Sequence, residues 1–332
     1  MTRPTAFLTG GTGFVGGHVA RALCEEGWAV RALARRPDAL AGGLTGDLAL
    51  DRVAGDLSEA SRPALSAAMR GCGAIVHVAG LVKARSLEDY REVNVGCTRL
   101  LLDAARESAP EALFLLVSSQ AAAGPARDGK PVRENDPARP VSWYGRSKLE
   151  AEEAVAAEWK GSWIILRPAV VYGPADRGLL PLFAAAARGW LPVPAGRSRI
   201  QLIEASRAAR AIALTAARAD LTGSIGFLCD PEPVAIADLS RLIALLPERP
   251  ARLVAVPNVL VGLAGLAATF REAITGRSLP FNSDKAREIL AGDWLCEPSL
   301  MQRHLPLPPP SPLEYNLRMT WEWYGREGWL SL

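Results

Sequence analysis

The first half of the chain alternates short apolar runs with stretches of helical spacing. Residues 5–9, 28–34, 74–78, 113–118 and 163–166 are apolar runs, the pattern of strands buried on both faces. Residues 15–26, 91–107 and 144–159 lie between them with helical patterning, which predicts helices. A further short strand is read just before Asp56. Strands separated by helices form right-handed βαβ units, so the pattern predicts an α/β fold with a Rossmann-type, doubly wound parallel sheet.

After Pro174 the pattern changes to Gly-, Pro- and Ala-rich segments between shorter elements. Residues 206–219 read as a helix, 225–229 as a strand that returns to the sheet, and 236–246 as a helix with Asp238 in its first turn. The Pro-rich run at 305–312 is a stiff extended connector. Residues 313–327 read as a last helix whose Trp321, Trp323 and Tyr324 are packing residues. The expected division falls near residue 175, between a unit at 1–175 and a smaller α/β unit made mainly of 176–332. No repeat of 20–50 residues occurs.

Composition narrows the class. The 332 residues are 49% hydrophobic and 22% charged, which excludes a disordered chain. The net charge is +3 and its basic runs are short, so nucleic acid is not an expected partner. The five cysteines are widely spaced, with no Cys-x-x-Cys. This argues against a disulfide framework or metal site and for a reducing, cytoplasmic compartment. Phe7-Leu8 meets Gly10-Gly11 within two residues, so no signal-peptide core is expected there. The run Val-Leu-Val-Gly-Leu-Ala-Gly-Leu-Ala-Ala-Thr-Phe at 259–270 is too short to span a membrane. It reads as a buried helix or the wall of an apolar pocket, with a one-face membrane contact as the sharper alternative.

Chemistry enters at Thr-Gly-Gly-Thr-Gly-Phe-Val-Gly-Gly, residues 9–17, between the first strand and first helix. Gly10, Gly13 and Gly16 permit a tight turn and a close approach of backbone to a pyrophosphate, which the helix N-terminus then holds. No Gly-Lys-Ser/Thr follows, so a nucleoside-triphosphate loop is disfavoured. The second strand ends in Arg35-Arg36, where an NAD site usually carries an acid for the ribose hydroxyls. A guanidinium there suits a 2′-phosphate, so NADP(H) is the expected cofactor and NAD(H) the second choice. Asp56 and Leu57 follow the third strand, placing a carboxylate where it can accept from an adenine amino group.

Tyr144 and Lys148 form Tyr-x-x-x-Lys at a helix start, on one face of the helix. An ammonium near a phenol favours the phenolate, and lowering a tyrosine by about three pKa units needs about 4 kcal/mol. Tyr144 would then move a proton at a substrate oxygen while a nicotinamide moves hydride. Ser119, at the carboxyl end of an apolar strand, is the expected substrate contact, with Ser118 second. His77 reads as a satisfied strand residue, and no Gly-x-Ser-x-Gly elbow supports a hydrolase.

Together these motifs resemble the extended short-chain dehydrogenase/reductase family, over nearly the whole chain. The glycine loop at 9–16, His-Val-Ala-Gly at 77–80, Asn-Val-Gly-Cys-Thr at 94–98, Leu-Val-Ser-Ser-Gln at 116–120, Tyr-Gly-Arg-Ser-Lys at 144–148 and Arg-Pro-Ala-Val-Val-Tyr-Gly-Pro at 167–174 follow the family's order. The resemblance implies Ser119, Tyr144 and Lys148 as the catalytic triad, supported by Asn94. It implies cofactor contacts at Gly10, Thr12, Gly13, Phe14, Val15, Asp56, Ala79, Pro168 and Val171, besides Arg35, Arg36, Leu57, Tyr144 and Lys148. It also implies a homodimer through the helix bearing Tyr144. The approach to Arg35 is similar to NADPH-using ketone reductases. Two departures stand out: 205–209 lacks the carboxylates usual before the next helix, and Ala123 replaces a usual Tyr, which is expected to open space beside the site.

The expected function is NADPH-dependent reduction of a ketone on a hydrophobic small molecule, a sphingoid or ceramide-like lipid or a sterol. The apolar substrate half points that way, and Ser-Asp-Lys-Ala-Arg at 283–287 with Asp-Trp-Leu at 293–295 resembles family members acting on steroid or long-chain lipid ketones. One alternative is a nucleotide-sugar epimerase or dehydratase with tightly held NAD, in which Arg197 and Arg199 meet a diphosphate. Another is a cofactor-binding regulator without catalysis, against which the complete Ser119, Tyr144 and Lys148 set argues.

Overall fold

A computed structural model describes residues 3–40, 43–276, 279 and 281–330. Its strands are β1 (Thr5–Thr9), β2 (Ala29–Ala34), β3 (Asp51–Ala54), β4 (Ala74–His77), β5 (Leu113–Val117), β6 (Trp163–Pro168), β7 (Val170–Tyr172), β8 (Trp190–Pro194), β9 (Arg199–Ile200), β10 (Leu202–Glu204), β11 (Ser224–Leu228), β12 (Val234–Ala235) and β13 (Arg252–Val256). Seven of them form one parallel sheet in the order β11-β6-β5-β4-β1-β2-β3. The order reverses between β1 and β4, which makes the carboxyl ends of those two strands the switch point of a doubly wound fold.

The α-helices are α1 (Phe14–Glu25), α2 (Arg62–Met69), α3 (Leu87–Arg91), α4 (Cys97–Ser108), α5 (Gln120–Ala123), α6 (Trp143–Glu158), α7 (Leu180–Ala187), α8 (Ala205–Thr215), α9 (Ile236–Ala244), α10 (Asn258–Thr275), α11 (Ser283–Leu290), α12 (Ser299–His304) and α13 (Leu313–Arg326). Period-2 alternation along the strands sorts the core into two layers. Phe7, Ile75, Phe114 and Ile165 face one side with Leu101 and Trp159. Leu8, Val76, Leu115 and Ile164 face the other with Val19, Leu23 and Ile212.

The second half returns to the sheet more than the sequence pattern suggests. Besides β11 on the edge, α8 packs on α1 and α12 packs on β11. A separate core of Tyr172, Phe183, Leu191, Leu239, Ile243, Leu317 and Tyr324 lies beyond. The C-terminal aromatics are packing residues, as read from the sequence: Tyr324 is fully buried, edge-on to Phe183 and stacked on Trp329.

Two local features differ from the sequence pattern. The helix expected at 91–107 forms but carries a π-helical turn at Glu92–Gly96, from which the Asn94 side chain bonds the Leu81 backbone. The space expected at Ala123 is closed: that residue is fully buried among Val132, Ala169 and Phe227.

Candidate active site

Glycine is obligatory in the turn between β1 and α1. Gly10 has φ +78°, and a Cβ there would lie 2.7 Å from the Ala79 nitrogen. A Cβ on Gly16 would lie 2.0 Å from the Gly10 carbonyl oxygen. The turn therefore packs against the end of β4 and folds α1 tightly onto it. No side chain caps α1, and its first turn has no acidic residue, so its N–H groups and positive dipole end suit an anion. These features fit a dinucleotide pyrophosphate. Thr12 and Gly13 are exposed beside Phe14 and Val15, which are half-buried.

The remaining cofactor candidates line the same carboxyl edge. Arg35 and Arg36, after β2, are exposed, and neither makes a salt bridge among the described residues. Asp56, after β3, accepts from Ser58 and Ser61 hydroxyls at 2.5 and 2.7 Å. Those bonds, helped by the Arg35 guanidinium, hold its carboxyl below the usual range. Leu57 is half-buried against the sheet, Pro168 ends β6 and Val171 lies in β7.

A buried relay that the sequence reading missed ties β1, β4 and the π turn together. Thr98 Oγ1 donates to the Asn94 carbonyl at 2.6 Å, so it can only accept from His77 Nε2, 3.1 Å away. His77 Nδ1 must then accept from Thr9 Oγ1 at 2.7 Å. The Ala79 N–H donates to Thr9 Oγ1 at 3.2 Å. The imidazole is thus a neutral Nε2–H tautomer, and burial, then Lys148, push its pKa down to about 3. This is the satisfied strand histidine expected from the sequence.

Asn94 follows from that relay. Its Oδ1 accepts from the Leu81 N–H at 2.7 Å, and its Nδ2 donates to the Leu81 carbonyl at 3.1 Å and to Ser147 Oγ at 2.9 Å. It fixes the strand end after β4 to α6, the helix that carries Tyr144 and Lys148. Lys148 is buried and donates from Nζ to the Val117 carbonyl at 2.8 Å. Burial pushes its pKa down to about 8, partly offset by Glu152.

Ser119 caps α5, accepting from the Ala121 N–H at 3.1 Å, and its hydroxyl also faces the Tyr144 phenol. The sequence expectation of a lowered tyrosine is corrected in the protein alone. Burial pushes Tyr144 up to about 12, Ser119 lowers it in part, and Glu288 raises it further. Lys148 is directed at the Val117 carbonyl. Ser118 is likewise removed from the substrate contacts: its hydroxyl donates to Glu152, which is held by a buried ion pair to Arg167 at 2.6 Å.

Three further side chains escaped the sequence reading because they come from remote segments. Asp284 of α11 accepts from the N–H groups of Trp143 and Tyr144 at 2.7 and 3.3 Å. Glu288, one turn on, accepts from Ser142 Oγ at 2.6 Å. Two buried carboxylates thus sit at the N-terminus of the Tyr144 helix, where its dipole favours them. Gln120, beside Ser119, is buried with an amide nitrogen that has no partner among the described residues.

Comparison with known proteins agrees with this architecture. Residues 6–225 match the model of the NAD dependent epimerase/dehydratase family. A ceramide reductase of Caulobacter vibrioides is 34% identical over 331 residues, 99% of this chain and 96% of that protein. A ketoreductase of Stigmatella aurantiaca, acting on a 4-hydroxy-2-methyl-3-oxo-4-farnesyl-3,4-dihydroquinoline-1-oxide, is 29% identical over 86% of this chain and 90% of its own. The structure of MoeE5 with UDP-glucose and NAD superimposes with a TM-score of 0.72 at 25% identity, covering 97% and 99% of the two chains. The chain belongs to the NAD-dependent epimerase/dehydratase family of extended short-chain dehydrogenases/reductases, and is an NAD(P)-dependent enzyme acting on a small molecule.

Proposed function

We propose that the enzyme is an NADPH-dependent reductase of a ketone on a hydrophobic, lipid-class substrate, ceramide-like or sterol-like. The observation that carries this reading is Arg35 at the end of β2, exposed and free of any salt bridge among the described residues where an acid would favour NAD. Likeness along nearly the full chain to a ceramide reductase, and to a ketoreductase of a farnesylated ring, supports the substrate class. In this reading residues 1–175 mainly hold the cofactor, 176–332 mainly the substrate, and residues of β11 rejoin the first unit. The quaternary proposal is a homodimer through α6, which with α4 lines a groove of about 550 Å³ that includes Arg91, Arg99, Glu150 and Glu158.

When bound, the nicotinamide supplies the hydride. Ser119 and Tyr144 hold the ketone oxygen between them, and Tyr144 gives its phenolic proton to that oxygen as the carbon is reduced. Burial keeps the phenol protonated but makes it a weaker acid, so release of its proton depends on groups that favour the phenolate. Lys148 keeps a cation on the same helix face and favours the phenolate left behind. Asn94 anchors the strand end facing them.

The nucleotide-sugar alternative loses one of its supports. Arg199, expected at a diphosphate, is committed to Asp293 by side-chain bonds at 2.6 and 3.1 Å. Its companion Arg197 is exposed, with no salt bridge among the described residues.

The test is titration of the cofactor-stripped enzyme with NADPH and NADH by tryptophan quenching, followed by turnover on long-chain ketones. Wild type is expected to prefer NADPH by roughly ten- to hundredfold, and Arg35→Ser to lose that margin. Co-purified NAD that resists removal, with turnover of a nucleotide sugar, would replace this reading with the epimerase one.

A further inference from the structure

The outer face of α10 takes no part in the site described above. Val259, Leu260, Leu263, Leu266, Phe270 and Ile274 are each 53–73% exposed. Their spacing of three and four places them along one stripe of the helix. The inner side, with Val261, Gly265 and Glu272, is buried. There α11 packs so closely that a Cβ on Gly265 would fall 2.7 Å from the Ala286 Cβ. A helix seated on a protein by one side normally turns polar residues outward. This one turns its largest apolar side chains to solvent.

Two observations indicate what covers the stripe. The first is charge. Together β13 and α10 carry two exposed ionised side chains, Arg252 and Arg271, both positive and neither in a salt bridge among the described residues. The only acid of the two elements, Glu272, is buried and accepts from the Leu279 N–H at 2.6 Å. Arg85 also reaches the carboxyl end of the helix, 3.4 Å from the Gly276 carbonyl, but it is paired with Asp89 at 4.0 Å and adds no free charge. An apolar stripe rimmed by cations complements an anionic headgroup layer.

The second is area. Six large apolar side chains, each more than half exposed, leave about 500–600 Å² of accessible apolar surface on the stripe. A stable contact with a second copy needs about 800 Å² per partner. A helix lying in a bilayer surface has no such threshold, because its apolar face sinks about 5–10 Å into the acyl boundary. No helix of the described residues is long and apolar enough to cross a membrane.

We propose that α10 docks the enzyme on an anionic bilayer, with Val259, Leu263, Leu266, Phe270 and Ile274 immersed and Arg252 and Arg271 at the lipid phosphates. The helix lying against its inner side, α11, carries Asp284 and Glu288 to the start of the Tyr144 helix, so the docked surface is one helix away from the site. This deepens the reductase reading by naming where an apolar substrate is met. Its test reads binding, not turnover, so the two readings fail separately.

The experiment is flotation of the full chain with phosphatidylglycerol-containing vesicles and with pure phosphatidylcholine vesicles. The protein is expected to float with the anionic vesicles and to be released by high salt. The L263Q/F270Q pair should weaken that association at least about tenfold, and R252E/R271E should remove the preference for anionic lipid. Unfolding temperature and NADPH affinity, followed in parallel, should not move. Failure of wild type to float, or equal flotation of L263Q/F270Q, overturns the proposal. So does a concentration-dependent dimer in sedimentation that L263Q/F270Q dissolves while vesicles leave it intact, since a second copy would then cover the stripe.

Discussion

Tyr144 is where the proposed chemistry is most exposed to test. Tyr144→Phe keeps the ring and its contact with Tyr90, whose centroid is 5.9 Å away, and removes only the proton donor. It should lower kcat for ketone reduction by about 10² to 10⁴, with NADPH affinity unchanged in a quenching titration. An unchanged kcat would remove Tyr144 from the mechanism. The pH dependence follows from Lys148. Its pKa lies near 8, below the ordinary lysine value, because burial disfavours the ammonium. The side chain is therefore charged below that pH and neutral above it. Tyr144, near 12, stays protonated through the same window. We expect kcat/KM for NADPH, which reports groups of the free enzyme, to fall as pH rises through about 8. A profile flat to pH 10 would show that the Lys148 charge is not used.

At the scale of elements, the position of α6 decides whether Tyr144 meets Ser119. Three remote segments hold that helix. Asn94 ties it to the end of β4, Asp284 and Glu288 cap its start, and Glu152 anchors its middle to Arg167 of β6. Glu152 and Arg167 are 2% and 3% exposed, so breaking the pair leaves a buried charge without compensation. Glu152→Ala should cost about 3–5 kcal/mol in urea unfolding, whereas a surface pair such as Arg241 with Asp238 should cost under about 1 kcal/mol. A small effect at Glu152 would mean that water or a shifted partner satisfies Arg167.

For the whole molecule, the fold does not divide where the sequence motifs end. The apolar side of α1 is covered by α8, and the sheet edge at β6 by β11, both from beyond residue 175. A chain truncated after residue 175 would expose the β6 edge and the face of α1, the conditions for edge pairing and aggregation. It should be insoluble or fail to unfold cooperatively, while the full chain binds NADPH. A soluble, cofactor-binding fragment 1–175 would show that the first unit carries its own core.

The sequence by itself determined the alternation of strands and helices, the glycine turn and the spacing of Tyr144 and Lys148. These are local: a run of buried apolar residues has one period, a turn with φ of +78° admits little but glycine, and a four-residue spacing sets one helix face. His77 was readable as a structural residue for the same reason, lying mid-run in a buried strand. The sequence favours Ser119 over Ser118, but only tertiary structure shows why Ser118 is withdrawn: its hydroxyl is bound to Glu152. Tertiary structure decided that Arg199 belongs to Asp293, that Ala123 leaves no room, and that Asp284 and Glu288 reach the Tyr144 helix from some 140 residues away. It also decided that the apolar run at 259–270, which read as a buried helix or pocket wall with a one-face membrane contact as the alternative, presents its large side chains outward. Periodicity shows that a helix has an apolar side, and only packing against α11 shows which side remains uncovered.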